Sequence, residues 1–269
     1  MAHTLDVILL PGLVPPDALA GRAVIVIDVL RATTTIATAL AAGAHEILPV
    51  AEIETALRLA AQPRQRPTVL GGERGGRTIA GFDLGNSPNE YTPASVGGRT
   101  IVFTTTNGTR ALEHARQGAR VSCAAFVNAA AVVRSALDEE HLVLLCAGTD
   151  GQITNEDVLL AGCLACRLAA ARDSWHPDQA RWNDQARLAA DAWRELAGDS
   201  SDVATWPVSA PDIARLAAAL RDSAGGRNLL ELGLDRDIDD AAQADCVNIV
   251  PQLDVAAWRV VASALRSTG

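Results

Sequence analysis

Short apolar runs alternate along the chain with longer stretches in which apolar residues recur at helical spacing. A continuously apolar run predicts a strand that is buried on both faces. The sequence predicts strands at 5–10, 23–28, 45–50, 68–70, 99–103 and 142–146, a further strand starting near 118–119, and a strand-like run at 248–253. Helical patterns cover 33–42, 51–61, a segment ending near 117, 156–171, parts of 173–197, and a segment that opens at 210–212 and ends at 225–226.

Three segments share the order strand, polar loop, helix. Their polar loops are Asp28–Thr35, Thr104–Arg110 and 148–157. Repeated units of this kind predict parallel crossovers and an α/β fold, with a mostly parallel or mixed sheet flanked by helices. Because the carboxyl ends of parallel strands share one rim, we expect the three loops to meet at one pocket. The alternative is that they are ordinary helix caps and tight turns.

The sequence pattern does not predict a single structure for two stretches. Residues 71–98 carry glycines and charges without clear periodicity, and we expect an ordered functional loop there, with a solvated linker as the alternative. Residues 227–240 are strongly acidic and fit either an acidic loop or a solvated helix start. Between them, Trp175, Trp182 and Trp193 are expected to cover the core.

The chain has 269 residues, of which 49% are hydrophobic, and this suits one large α/β domain. We predict a single domain over 1–269, with a C-terminal subregion from about residue 172, because no interdomain linker is evident. The first apolar run has no cationic stretch ahead of it and stops at Pro11-Gly12. We therefore expect no signal peptide, no transmembrane span and a cytoplasmic location.

The net charge is −9 and no basic patch occurs, so neither a nucleic-acid nor a membrane partner is expected. All 23 residues counted as Lys or Arg are arginine. The lack of lysine excludes a P-loop lysine, a Schiff-base lysine and a lysine general base. An anionic ligand must be held by arginine, backbone N–H groups, hydroxyls or a metal ion. The oligomeric state stays open, with a homo-oligomer as one option.

An odd count of 5 cysteines argues against a disulfide framework. Cys163 and Cys166 lie in an Ala/Leu-rich helical pattern with no second such pair and no nearby histidine pair. Packing in a core helix is therefore favoured over zinc or redox chemistry.

The predicted rim is crowded with carboxylates, arginines and hydroxyls. It comprises Asp28, Arg31, Thr33, Thr34, Thr35, Glu73, Arg74, Asp83, Thr104, Thr105, Thr106, Asn107, Arg110, Asp150, Glu156 and Asp157. Such a set suits Mg²⁺, which takes one or two carboxylates together with phosphate oxygens and water. This favours phosphoryl chemistry, in which positioning and charge neutralisation supply most of the catalysis.

Roles follow from this rim. We predict catalytic roles for Asp28, Arg31 and Glu73. The predicted metal ligands are Asp28, Asp150, Glu156 and Asp157. The residues predicted to bind a small anionic phosphorylated substrate are Thr33, Thr34, Thr35, Arg74, Thr105, Thr106, Asn107, Gly108 and Arg110.

Two mechanisms for Asp28 stay open. In one, its carboxylate attacks phosphorus and forms an aspartyl-phosphate that water hydrolyses. The position of Asp28 resembles the haloacid-dehalogenase arrangement, but the second aspartate two residues on and the usual lysine are absent. In the other, Asp28 is a metal ligand and an activated water attacks directly.

Several linked motifs resemble the 2-phosphosulfolactate phosphatase (ComB) family. They are Asp28–Thr35, Gly71–Arg74, Gly81–Pro88, Thr104–Thr109 and Cys146–Gly151 with Glu156-Asp157. The resemblance runs in order over about 5–170 and more weakly over 233–251. It implies a ComB-like α/β fold and a Mg²⁺-dependent phosphatase that converts (2R)-2-phospho-3-sulfolactate to sulfolactate and phosphate, a step of coenzyme M biosynthesis.

Two other functions fit the same residues. One is a phosphatase of the same fold acting on another small phosphorylated acid. The other is a non-catalytic anion- or nucleotide-binding domain. The carboxylates of the rim argue against the second, because they repel an anion unless a metal ion lies between.

Overall fold

A computed structural model describes residues 3–198, 205 and 209–263 of the chain. Its strands are β1 (Thr4–Ile8), β2 (Ala23–Ile27), β3 (Glu46–Pro49), β4 (Thr68–Arg74), β5 (Arg77–Thr78), β6 (Thr100–Thr104), β7 (Arg120–Ala124), β8 (His141–Cys146), β9 (Arg181–Trp182), β10 (Val250–Asp254) and β11 (Arg259–Ser263). Its helices are α1 (Ala32–Ala41), α2 (Ile53–Ala60), α3 (Pro93–Val96), α4 (Gly108–His114), α5 (Ala129–Ala136), α6 (Asn155–Ala171), α7 (Asp184–Ala197), α8 (Ala210–Asp222), α9 (Ala224–Glu231) and α10 (Asp235–Ala241).

The strands form one mixed sheet in the order β5-β4-β6-β3-β11-β10-β7-β2-β8-β1-β9. The pairs among β4, β6 and β3 are parallel, and so are those among β7, β2, β8, β1 and β9. The hairpin β10–β11 is antiparallel to both of its neighbours and joins the two parallel groups. The predicted α/β class, with a mostly parallel or mixed sheet flanked by helices, is confirmed.

Strand β2 shows why its sequence is apolar at every position. It lies between β7 and β8, and its side chains alternate between two cores. Ile25 and Ile27 pack with residues of α5, α6 and α7, whereas Val24 and Val26 pack with residues of α1 and α4. A strand covered on both faces has no solvent-facing position, so every residue is hydrophobic. This packing fixes the position of Asp28, which follows the strand directly.

The predicted end of a helix at Gly225-Gly226 is wrong. Helix α8 ends at Asp222, and both glycines lie in the first turn of α9. A Cβ on Gly226 would clash with the α8 backbone at Leu220, and one on Gly225 would clash with the Glu156 carboxylate on α6. The glycines therefore allow close helix contacts instead of stopping a helix.

The irregular stretch 71–98 is ordered and partly regular. Strand β4 extends to Arg74 and turns at Gly75-Gly76, where φ is 57° and 76°, into β5. A short 3₁₀ turn at Pro88–Glu90 and helix α3 follow. The structure therefore favours the ordered loop over the solvated linker.

Other differences lie in the second half of the chain. Helix α5 and strand β11 were not among the elements predicted from the sequence. The acidic stretch 227–240 forms α9 and α10, in agreement with the helix-start interpretation. The three tryptophans are buried in the core, as expected. Among the described residues, no helix has both the length and the apolarity to cross a membrane.

Candidate active site

A cavity of about 430 Å³ opens where the loops after β2, β6 and β8 meet. The β4–β5 turn and helix α9 complete its wall. Its polar lining comprises Asp28, Arg31, Glu73, Arg77, Asn86, Thr106, Asn107, Thr149, Asp150, Asn228 and Glu231. The predicted meeting of the three polar loops at one pocket is therefore confirmed.

Asp28 lies in this cavity between two helix N-termini. Its side chain is nearly buried, and Oδ1 accepts a hydrogen bond from the backbone N–H of Ala32 at 3.2 Å, in the first turn of α1. Gly108, the first residue of α4, approaches so closely that a Cβ there would lie 2.6 Å from Asp28 Oδ2. The positive ends of both helix dipoles therefore face the carboxylate and any anion bound beside it.

The surroundings of Asp28 oppose its ionisation. Burial raises the pKa of Asp28 to about 7, and the negative charges of Glu73 and Glu156 act in the same direction. The hydrogen bond from Ala32 and the charge of Arg31 lower it, but by less. A cation at this position would favour the ionised carboxylate.

Glu73, a predicted catalytic residue, braces the cavity wall. Its Oε1 accepts a hydrogen bond from the N–H of Thr106 at 2.8 Å. Its Oε2 accepts from the N–H of Gly76 at 2.7 Å and from the Thr106 hydroxyl at 3.2 Å. One buried carboxylate thus connects the β4–β5 turn to the loop after β6. Both oxygens are engaged, so the structure supports a bracing role more directly than a chemical one.

Arg31 is held by a partner that the sequence analysis missed. Its Nη1 donates to Asp237 Oδ2 on α10 at 2.6 Å, and its Nη2 donates to the carbonyl of Gly76 at 2.7 Å. Both members of this ion pair are almost fully buried. Asp237 also accepts a hydrogen bond from the Ser87 hydroxyl. The sequence indicates only that Asp237 belongs to an acidic stretch, because nothing in sequence spacing connects it with Arg31.

The hydroxyls of the first threonine triplet do not reach the cavity wall, which corrects the expectation that they contact a ligand. Thr33 donates to the carbonyl of Asp28 at 2.8 Å, and Thr34 donates to that of Val29 at 2.7 Å. Thr35 donates to a carbonyl of the irregular stretch at 2.8 Å. All three are buried. They fix the backbone that presents Asp28.

The second loop divides its predicted substrate-binding residues. Thr106 and Asn107 line the cavity, whereas Thr105 is buried and bonds with Thr109. Gly108 packs on Asp28 without lining the cavity. Of these residues, only those in the middle of the loop thus line the cavity.

Two predicted arginines also lie outside the lining. Arg74 donates to the carbonyl of Ala51 at 2.6 Å and to the Thr104 hydroxyl at 2.8 Å. Arg110 is exposed on α4. Sequence position placed both near the rim, but the direction of each side chain, which spacing does not reveal, takes them away from it.

The predicted metal ligands do not form one cluster. Asp150 lines the cavity on an exposed turn. Asp157 is buried, and its two oxygens accept from the N–H groups of Val29 at 2.9 Å and Gly148 at 3.0 Å. Glu156 is buried, and its Oε2 has no hydrogen-bond partner in the described structure. Within the described residues, no group of three or more His, Cys, Asp or Glu side chains is arranged to hold a metal ion.

The donor chemistry nevertheless fits Mg²⁺ held by few protein ligands. This ion commonly binds one or two carboxylates and completes its shell with substrate oxygens and water. Asp28 and Asp150 are the predicted ligands that line the cavity. Burial also raises the pKa values of Glu156 and Asp157, and these acids repel one another's charge. This concentration of buried acids is one that a divalent cation would stabilise.

Several lining residues were not predicted as binding residues. They are Gly75, Gly76, Arg77, Asn86, Thr149, Asn228 and Glu231. The lack of periodicity in 71–98 was the only sequence signal for the first four. Asn228 and Glu231 come from α9, which reaches the cavity through helix packing that no local pattern reveals.

The sequence comparisons agree with the resemblance described above. The family model of 2-phosphosulpholactate phosphatase matches residues 8–255. A probable 2-phosphosulfolactate phosphatase of Symbiobacterium thermophilum is 41% identical over 239 residues, covering 88% of this chain and 93% of the relative. A protein of the same description from Deinococcus radiodurans is 43% identical over 254 residues, covering 93% of this chain and 95% of the relative. One from Thermotoga petrophila is 35% identical over 232 residues, covering 86% and 89%.

Proposed function

The chain belongs to the 2-phosphosulfolactate phosphatase family, and on that premise we propose that it hydrolyses (2R)-2-phospho-3-sulfolactate to (2R)-3-sulfolactate and phosphate with Mg²⁺ as cofactor. The observation that carries the proposal is the position of Asp28. It is a nearly buried carboxylate in a polar cavity, flanked by the N-termini of α1 and α4. A cation would stabilise a carboxylate in this position, and together with the helix N-termini it would attract a phosphoryl group.

The residues around Asp28 divide the work of binding. The N-termini of α1 and α4 supply positive potential for the phosphate. The hydrogen bonds from Thr106 to the Glu73 carboxylate hold Thr106 in the cavity wall, beside the proposed phosphate position. Mg²⁺, held by Asp28 and Asp150, would supply charge neutralisation for the transferred phosphoryl group. The net negative charge of the chain is then compatible with a strongly anionic substrate, because the helix N-termini and the cation would provide positive potential within the cavity.

Asp28 has two chemical roles consistent with this site. As a nucleophile, one carboxylate oxygen bonds to phosphorus while the ester oxygen of sulfolactate leaves and takes a proton, and water then cleaves the aspartyl-phosphate. As a metal ligand, Asp28 would instead help to hold the cation, and a water molecule would attack phosphorus while the ester oxygen of sulfolactate leaves. A pKa of about 7 is compatible with both, since each needs the ionised carboxylate and Mg²⁺ favours that form.

The test is a panel of small phosphorylated acids assayed with Mg²⁺ and with EDTA. The panel contains 2-phosphosulfolactate, 2-phospholactate, phosphoglycolate and phosphoserine. We expect the highest kcat/KM for 2-phosphosulfolactate and loss of activity in EDTA that Mg²⁺ restores. A higher kcat/KM for another acid would identify that acid as the preferred substrate. Binding of the acids without phosphate release would favour the anion-binding alternative.

A rapid-quench experiment with ³²P-labelled substrate separates the two roles of Asp28. A labelled protein band that Asp28→Asn abolishes supports the nucleophile. Burst-free turnover without labelled protein at any quench time supports direct attack by water.

A further inference from the structure

The cavity has an unusual balance of charge. Its described lining contains the carboxylates of Asp28, Glu73, Asp150 and Glu231. Arg31 and Arg77 are the cationic side chains of that lining. Since the proposed substrate carries a phosphate, a carboxylate and a sulfonate, each guanidinium matters for binding.

Arg31 contributes little net positive charge. Its guanidinium lies 2.6 Å from Asp237, and both side chains are almost fully buried. Its second nitrogen is committed to the carbonyl of Gly76. A buried ion pair presents a dipole to a ligand and not a full positive charge. The pair can orient a substrate, but it does not neutralise an added anion.

Arg77 is different because its guanidinium has no paired carboxylate among the described residues. It is exposed on β5, and no hydrogen bond or ion pair of its side chain is found among the described residues. It lines the main cavity and also a second cavity of about 190 Å³, which shares Arg31 and Asn86 with the first. The guanidinium is therefore free to reach an anionic group from the mouth of the site.

The backbone that carries Arg77 is firmly placed. Strands β4 and β5 pair through Glu73 with Thr78 and Arg74 with Arg77. The Glu73 carboxylate fixes the turn between them through the N–H of Gly76 at 2.7 Å. Gly76 packs so closely against Leu232 that a Cβ would clash with it. The fixed turn therefore holds the backbone of Arg77 at the edge of the cavity that its side chain lines.

We propose that Arg77 binds the sulfonate of the substrate and thereby determines specificity, an inference that rests on the proposed phosphatase function. The phosphate is assigned to Asp28 and the two helix N-termini, deeper in the cavity. The carboxylate is common to all 2-phospho acids, and the Arg31–Asp237 pair can orient it. The sulfonate is the remaining anion, and the uncompensated guanidinium at the mouth matches its charge and its need for donors.

The experiment compares Arg77→Ala with the wild type on 2-phosphosulfolactate and on 2-phospholactate, which lacks the sulfonate. We expect kcat/KM for 2-phosphosulfolactate to fall by about 10- to 100-fold, the range of one hydrogen-bonded charged contact. The value for 2-phospholactate should change by less than about 3-fold, since the lost contact is absent there. Arg77→Lys keeps the charge but loses the planar fork of donors, so its loss should be intermediate.

Arg58→Ala is the matched control, because Arg58 is an exposed arginine on α2 outside the cavity. It removes the same charge and should leave both values unchanged. Circular dichroism of each variant checks that the fold is intact. An equal loss on both substrates, or no loss on either, would overturn the assignment of Arg77. Failure of the wild type to release phosphate from either acid would contradict the proposed function instead.

Discussion

At the scale of single residues, Asp28 lies where burial disfavours its negative charge, in the cavity where a cation and a phosphate are proposed to bind. Burial raises its pKa to about 7, while two helix N-termini and Arg31 favour the charged form. A cation bound beside this carboxylate would favour its charged form, because the attraction between them offsets the cost of burying the negative charge.

Replacing Asp28 by asparagine tests this placement. The amide keeps the shape but neither attacks phosphorus nor balances a divalent cation. We expect Asp28→Asn to lower kcat by roughly 10³-fold or more, as loss of a central catalytic group commonly does. Phosphate release under saturating substrate is the measurement. Asp17→Asn, at an exposed position on the surface, should retain wild-type turnover, and near-native kinetics for Asp28→Asn would remove Asp28 from the chemistry.

The sequence predicted the site best for residues that lie within the first few positions after a strand. Asp28, Asn107 and Asp150 line the cavity because strand ends fix their backbone. The prediction failed for Thr33, whose hydroxyl donates to the Asp28 carbonyl in its own loop, and for Arg74, whose guanidinium donates to the Ala51 carbonyl in a neighbouring loop. Residue type and position do not state which way a side chain points when several partners are close.

At the scale of elements, α10 matters to the site although it contributes no residue to the main cavity lining. Asp237 in its first turn accepts from Arg31 and from Ser87. The helix therefore holds the loop after β2 and the irregular stretch 71–98 in one arrangement. The orientation of Arg31 depends on this docking.

Asp237→Asn tests the role of α10. The amide loses the charge that compensates the buried Arg31, so we expect kcat/KM to fall by about 10-fold or more and the unfolding free energy to fall by about 3 kcal/mol. Asp235→Asn, an exposed position on the same helix, is the control and should change neither.

A double variant separates positioning from simple loss of stability. If Asp237 acts through Arg31, Asp237→Asn combined with Arg31→Gln should be no less active than Arg31→Gln alone. Losses of activity that multiply would show that Asp237 acts independently of Arg31.

The elements that the sequence predicted are those with strong local patterns. Strand β2 is apolar throughout, and β6 and β8 are apolar apart from polar residues at their ends, because both faces of these strands are covered. Helix α6 follows a polar loop. Strand β11 was missed because only part of it is buried, which leaves a weak pattern. The Gly225-Gly226 pair was misinterpreted because glycine marks a tight helix contact as readily as a helix end.

At the scale of the whole molecule, the buried acids give the metal-free protein a particular pH dependence. Burial raises the pKa values of Asp28, Glu156 and Asp157. The folded state therefore binds protons that the unfolded chain has released. These groups lower the free energy of unfolding as the pH rises, and for Asp28 this happens between its ordinary pKa of 3.8 and its raised pKa of about 7.

Urea unfolding in EDTA at pH 5, 6, 7 and 8 measures this effect, with Asp28→Asn as the comparison. We expect the variant to become more stable relative to the wild type as the pH rises, by up to about 1.4 kcal/mol per pH unit, and the difference to level off above pH 7. Millimolar Mg²⁺ should raise the stability of the wild type more than that of the variant. A difference that shrinks with pH would contradict the raised pKa of Asp28.

The hairpin β10–β11 determines when the fold and the site can form during synthesis. Strand β10 pairs with β7 and β11 pairs with β3. The ion-pair partner of Arg31, Asp237, lies 206 residues further along the chain. During synthesis on the ribosome, the two parallel groups can form early, but neither their junction nor the Arg31–Asp237 contact can form until residues 235–263 have been made. Such distant pairing slows folding. Nascent and C-terminally truncated chains should therefore lack a finished site, so catalytic competence arrives together with the completed sheet.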